Sequence, residues 1–113
     1  MPRNMSFMIT EEQIRNRTKR VTRRLGWADL KPGELFNMVK QCQGLKKGEK
    51  IVYLDLGRCV SNRPEPLNAI TKEECILEGF PDLEPEGFVE MFSKHNRCPV
   101  DKVINRIEFD YVD

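Results

Sequence analysis

Apolar and polar positions along the chain alternate between two periods, and the changes of period mark the elements. The run "SFMIT" at 6–10 is short and reads as a strand. Thr10 and Gln13 have capping-box spacing, which predicts a helical turn through Arg15. Val21 then lies within a polar, basic run that reads as extended. "KPG" at 31–33 is a turn signal. The following "ELFNMVKQC" fits a helix and a strand equally, and local propensity does not decide. "QGLKKGEK" reads as an exposed hairpin or loop, with Lys46, Lys47 and Lys50 either solvated or touching phosphate. "IVYLDLGRCV" is rich in β-branched and aromatic residues and predicts a strand, ended by "SNRPEP". Thr71 and Glu74 form a second capping box, opening a helix over "KEECILE" that Gly79 stops. Pro85 suits the first turn of another helix, on which Phe88, Val89 and Phe92 make one core-facing stripe. Val103, Ile107, Phe109 and Tyr111 alternate with polar residues, interrupted at Asn105, and predict a C-terminal strand. Strands mixed with short helices, without a βαβ repeat, indicate α+β with a small, twisted or barrel-like sheet.

Composition narrows the class. A chain of 113 residues suggests one domain, here 6–113, after a flexible lead-in at 1–5 in which Met5 is an alternative start. Hydrophobic content of 39% and charged content of 33% are those of a globular protein. No apolar run approaches the ~20 residues that span a bilayer, and the N-terminus lacks the apolar stretch of a signal peptide. Cys42, Cys59, Cys75 and Cys98 are widely spaced, and the single histidine is His95. This pattern is not that of a metal site, and no cofactor is implied. Reduced, mostly buried thiols in a cytoplasmic protein are the expectation. Residues 1–31 carry eight Lys/Arg against three Asp/Glu, whereas 64–113 carry five against twelve. The asymmetry either creates a basic face or is neutralised across the fold.

The candidate chemistry concentrates in "RTKRVTRR" at 17–24. Residues three apart in a regular strand point to opposite faces, so Lys19 and Thr22 act together only if the chain bends between them. With such a bend, a neutral Lys19 accepts the Thr22 proton and makes the hydroxyl nucleophilic. Arg20, Arg23 and Arg24 nearby oppose protonation of that lysine, as does burial. The plainer alternative is a surface lysine beside a strand threonine. Glu78 is the candidate acidic partner, with Glu73 and Glu74 as competitors; the same glutamate also suits an ion pair with Arg23 or Arg24. Arg23 and Arg24 fit forked phosphate contacts or salt bridges to the acidic half. Trp27 suits base stacking or the core. Tyr53 and Tyr111 have no distinguishing neighbours. His95, near the end of a helix, complements the helix dipole.

The order of "RTKRVTRR", "LKPGE", "ITKEECILEGFPD", "GFVEMF" and "VINRIEFDYV" resembles the ASCH domain family of the PUA-like superfamily, from about Ser6 to Val112. Lys19, Thr22 and Arg24 match the last three defined positions of the family motif, G-x-K-x-x-[E/T]-x-R; the motif glycine falls on Arg17, a departure. The resemblance implies a small PUA-like β-barrel with flanking helices and work on RNA. It implies two activities reported among members: removal of acyl groups from modified cytidine by a lysine–threonine–glutamate constellation, and ribonuclease activity. Three readings follow. The first is a module binding RNA or modified nucleotides through Arg17, Lys19, Arg20, Arg23, Arg24 and Trp27. The second is an amidohydrolase on N4-acylated cytidine using Lys19, Thr22 and Glu78, or a ribonuclease in the same cleft. The third is a protein-interaction domain working through its acidic C-terminal half.

Overall fold

The computed structural model describes residues 2–41 and 46–113. Five strands form one sheet: β1 (Arg3–Ser6), β2 (Val21–Arg24), β3 (Leu35–Val39), β4 (Tyr53–Pro66) and β5 (Val103–Tyr111). Their order is β1-β3-β4-β5-β2, parallel between β1 and β3 and antiparallel elsewhere. Three helices accompany them, α1 (Glu11–Arg15), α2 (Lys72–Leu77) and α3 (Pro85–Asn96), with a 3-10 turn at Leu67–Ala69. The sheet curls into a half-barrel, and the fold is α+β.

Alternate residues of a strand face opposite sides, and β5 uses both. Ile107 and Phe109 join Met5, Phe7, Ile14, Phe36 and Met38 in one buried cluster. Ile104 faces the other way, into a second cluster with Leu67, Cys75, Phe88 and Phe92. That second cluster seats α2 and α3 against the outside of the sheet. Inside the curl, the Phe36 and Phe109 rings meet edge to face at 5.7 Å. β4 passes closely over Phe36 at Gly57, where a Cβ would lie 2.7 Å from the ring. Gly57→Ala is therefore expected to cost about 1–3 kcal/mol through overpacking. Urea unfolding should show a lower midpoint at unchanged slope; an unchanged midpoint would mean the ring yields freely.

Several local expectations need correction. The first strand lies at Arg3–Ser6, earlier than "SFMIT", so residues 3–5 belong to the sheet and not to a lead-in. Met5 is buried beside its β3 partner Met38, whereas Met8 and Ile9 are about half exposed. Thr10 starts α1 but makes no side-chain cap; the Gln13 amide donates instead to Gly79 O at 2.9 Å, tying α1 to the end of α2. The ambiguous "ELFNMVKQC" segment contains β3, because pairing to both β1 and β4 supplies what local propensity lacks. "SNRPEP" continues β4 instead of ending it. Beyond Arg58 the described β4 pairs only with β5, so Pro64 and Pro66 stand beside an open edge and break no second ladder. In β5, Val103 is exposed and Ile104 takes the buried place. The helices α2 and α3 lie where expected, with Phe88, Val89 and Phe92 buried. Cys59 and Cys75 are buried, Cys98 is half-buried and all three are free, while Cys42 and residues 43–45 of the expected loop lie outside the described residues. Burial pushes the Cys59 and Cys75 thiols up, which keeps them protonated and unreactive.

Candidate functional site

β1 and β2 are the two ends of the sheet, and the half-barrel stays open between them. Arg24 spans this seam. Its Nη2 donates to Ser6 O at 2.5 Å, its Nε donates to Thr22 Oγ1 at 3.1 Å, and its guanidinium lies 4.6 Å from the Phe7 ring centre. A cavity of about 170 Å³ opens here, walled by residues 6–10, by β2, by the end of α2 and by α3. Lys19, Thr22, Arg23, Arg24 and Glu78 all line it, together with Phe7, Phe80, Phe88, Phe92 and His95.

Lys19 precedes β2, in the irregular stretch between α1 and the strand. The chain bends at Arg17, which adopts a left-handed φ of 59°, and Arg20 N then donates to Leu77 O at 2.7 Å. Because β2 begins only at Val21, Lys19 is not held to strand alternation with Thr22, and both side chains line one cavity. Lys19 is 3% exposed, and its Nζ donates to Glu78 Oε1 at 2.6 Å and to Glu78 O at 2.7 Å. The Glu78 position follows from the end of α2. Gly79, at φ 97°, donates to Ile76 O while Phe80 N reaches back to Cys75 O, a Schellman closure that only glycine accommodates easily. Burial lowers the proton affinity of Lys19; Glu78 opposes this, Arg24 and Arg23 add to it, and the result lies below the ordinary 10.5. A neutral amine has two N–H donors and one lone pair. With both donors on Glu78, its lone pair points away from that carboxylate.

Behind the pair runs a chain of alternating charge. Arg23 has a fully buried side chain and donates to Glu78 Oε2 at 3.1 Å, to Glu65 at 2.9 Å and to Glu74 at 2.9 Å. Glu74 also accepts two bonds from Arg106, at 2.5 and 3.0 Å. Arg23 and Arg106 are directly opposite on β2 and β5, an unfavourable like-charge pairing that the shared Glu74 reverses. Hydrogen bonds from Arg106, then from Arg23, hold Glu74 at about 2 against the opposing effect of burial. Because the folded value lies below the ordinary 4.5, this carboxylate's stabilisation is present above that pH and is lost as pH falls toward 2. Unfolding by urea at steps between pH 5 and 2.5 should show that loss, and Glu74→Gln should flatten it. An equal acid slope in the variant would place the effect elsewhere.

The remaining sequence candidates separate. Arg17 pairs with Asp55 at 3.0 Å and with Asp113 at 2.5 Å, and Arg20 lies over the Tyr111 ring. Trp27 packs against the first core cluster, with the Arg3 guanidinium 4.3 Å from its ring centre. None of Arg17, Arg20 and Trp27 lines the cavity. Glu73 is exposed, and Glu74 lies on the far side of Arg23. Tyr53 is exposed, while the Tyr111 hydroxyl donates to Lys19 O at 2.6 Å; burial pushes it up to about 12, so it remains a neutral donor. The aromatic walls Phe7 and Phe80 and the rim residues His95 and Asn96 were not legible as site residues. The first two have the sequence signature of core, and the others that of a polar helix end. Among the described residues, no group of three His, Cys, Asp or Glu could hold a metal ion, and no helix is long and apolar enough to cross a membrane.

No protein-family model and no curated protein matches the chain. Among solved structures it is similar to the crystal structure of protein EF3133 from Enterococcus faecalis V583, of the family DUF984. The TM-score is 0.68 at 16% identity, over 100% of this chain and 81% of that one. At that identity the likeness is one of fold: this chain shares with EF3133 a small α+β architecture built on a curled mixed sheet.

Proposed function

We propose that this chain is an ASCH-type, PUA-like amidohydrolase that removes the acyl group from N4-acylated cytidine in the Lys19–Thr22–Glu78 cavity. The observation that carries the reading is the buried Lys19–Glu78 pair, which lines the same cavity as Thr22. A surface lysine beside a strand threonine has no reason to be 3% exposed. The left-handed φ of Arg17 also supports the resemblance, because this is the position at which the family motif carries glycine.

The chemistry assigns one role to each group. Neutral Lys19 accepts the Thr22 proton as the hydroxyl oxygen attacks the amide carbonyl. Arg24, already on Thr22 Oγ1, supplies positive charge beside the developing oxyanion. The proton returns through Lys19, positioned by Glu78, to the departing N4 amine. Water then attacks the acyl-threonine, releasing the carboxylic acid and restoring the hydroxyl.

Two features favour a nucleoside over a polymer. The cavity, about 170 Å³, is on the scale of one base, below the ~300–1,000 Å³ usual for drug-sized ligands. Its aromatic walls suit a stacked base, and its outer rim includes the exposed, apolar Met8, Ile9 and Leu25. The basic run offers less to phosphate than its composition implies, since Arg23 is enclosed and Arg17 has two aspartate partners. The test is release of cytidine from N4-acetylcytidine by the wild-type protein, beside binding of a single-stranded RNA across a salt series. Turnover with weak RNA binding is the expected outcome. No turnover, with affinity falling by a log–log slope of about −0.7 per phosphate contact, would favour the RNA-binding reading.

A further inference from the structure

Arg23 lies beside the candidate machinery without belonging to the threonine–lysine–glutamate set, and its surroundings are unusual. Its side chain is completely buried on a strand of only four residues and reaches three carboxylates, from β4 and from α2. Glu78 is thereby gripped from both sides, through Oε1 by Lys19 at 2.6 Å and through Oε2 by Arg23 at 3.1 Å. Arg23 cannot swing away, because Glu65 and Glu74 both hold its Nη2 and Arg106 in turn anchors Glu74.

We propose that Arg23 is a positioning residue, which fixes the Glu78 carboxylate against Lys19 and places a permanent cation behind the pair. The inference rests on the hydrolase reading for its catalytic meaning. A cation next to a lysine disfavours a second positive charge, and a neighbouring anion does the opposite. Arg23 acts on Lys19 in the first sense, and Glu74 and Glu65 moderate it. The other charged and titratable groups around the amine are Glu78 at the C-cap of α2, Arg24 from β2 and His95 from α3, with Arg106 of β5 behind Glu74. An Arg23 that only holds α2 to the sheet, its charge neutralised by Glu65 and Glu74, would affect unfolding and leave the Lys19 titration where it is.

The test is an NMR titration of the Lys19 side chain in lysine-labelled protein, its signal assigned by its loss in Lys19→Arg. Arg23→Gln keeps an N–H donor for Glu78 but removes the cation, so the Lys19 midpoint should rise, a several-fold gain in proton affinity. Glu74→Gln removes an anion beside Arg23, so the midpoint should fall by a few tenths of a unit. Opposite signs in the two variants support the proposal. An unmoved midpoint in a folded Arg23→Gln overturns it. Should Arg23→Gln not fold, Glu74→Gln decides alone: a fall supports the proposal, and an unmoved or raised midpoint overturns it. The measurement needs no turnover, so absence of wild-type hydrolysis would defeat the hydrolase reading and leave the role of Arg23 to be decided by titration.

Discussion

Lys19→Ala is expected to lower turnover of N4-acetylcytidine by about 10²–10⁴-fold, the usual loss when a general base is removed. Lys19→Arg should be almost as poor. A guanidinium fills the space and pairs with Glu78, but it does not shed its proton near neutral pH. The two variants together separate chemistry from packing, because only alanine leaves a void. Neither should unfold the protein, since Glu78 keeps Arg23 as a partner when Lys19 is gone. Thr22→Val, nearly isosteric, should lose turnover while keeping the strand pairing to Ile107. Full activity in Lys19→Arg would remove the lysine from proton transfer.

Glu78→Ala should lower activity and, unlike the Lys19 variants, destabilise the fold as well. Its carboxylate is the shared counter-ion of two buried cations, and its removal leaves Lys19 and Arg23 without it at a buried position. Breaking a buried ion pair by removing one partner costs about 3–5 kcal/mol. For a domain of this size, about 1 kcal/mol moves Tm by roughly 4–8 °C, so the melting point should drop by well over 10 °C. Lys19 can answer part of the loss by giving up its proton, whereas Arg23 keeps its charge and relies on Glu65 and Glu74. Glu78→Gln, which preserves an acceptor oxygen, should fall between wild type and alanine. A Glu78→Ala variant with wild-type melting would show that the pair is solvated, contrary to the enclosed geometry described.

Legibility in the sequence followed the reach of the interactions. The helices α2 and α3 were readable because their signals are local: Thr71 and Gly79 bracket one, and Pro85 with the Phe88, Val89 and Phe92 stripe marks the other. β3 was not, because "ELFNMV" becomes a strand through neighbours on both sides that are distant in sequence. "SNRPEP" misled for a related reason. Proline excludes a central strand but not the stretch of β4 with a single described neighbour. At the site, Lys19, Thr22 and Glu78 were named from the sequence, and the structure brings all three to one cavity. The left-handed φ of Arg17, before Lys19, has no sign in the arginine itself and only the glycine of the motif points to it. Charge was the least legible feature. "RTKRVTRR" reads as a basic face, yet Arg23 is enclosed by three glutamates that are distant in sequence.

The pH dependence of kcat/KM for wild-type hydrolysis of N4-acetylcytidine tests the central claim, that Lys19 works as a neutral base, most directly. Burial and the adjacent arginines hold its proton affinity below that of an ordinary lysine. Activity should therefore rise with pH along a limb whose midpoint lies below 10.5, in the free enzyme, and level off once the amine is neutral. That limb should be absent from whatever residual activity Lys19→Ala retains. A rate that keeps climbing to pH 10.5 and beyond, or the same limb surviving in Lys19→Ala, would contradict the assignment.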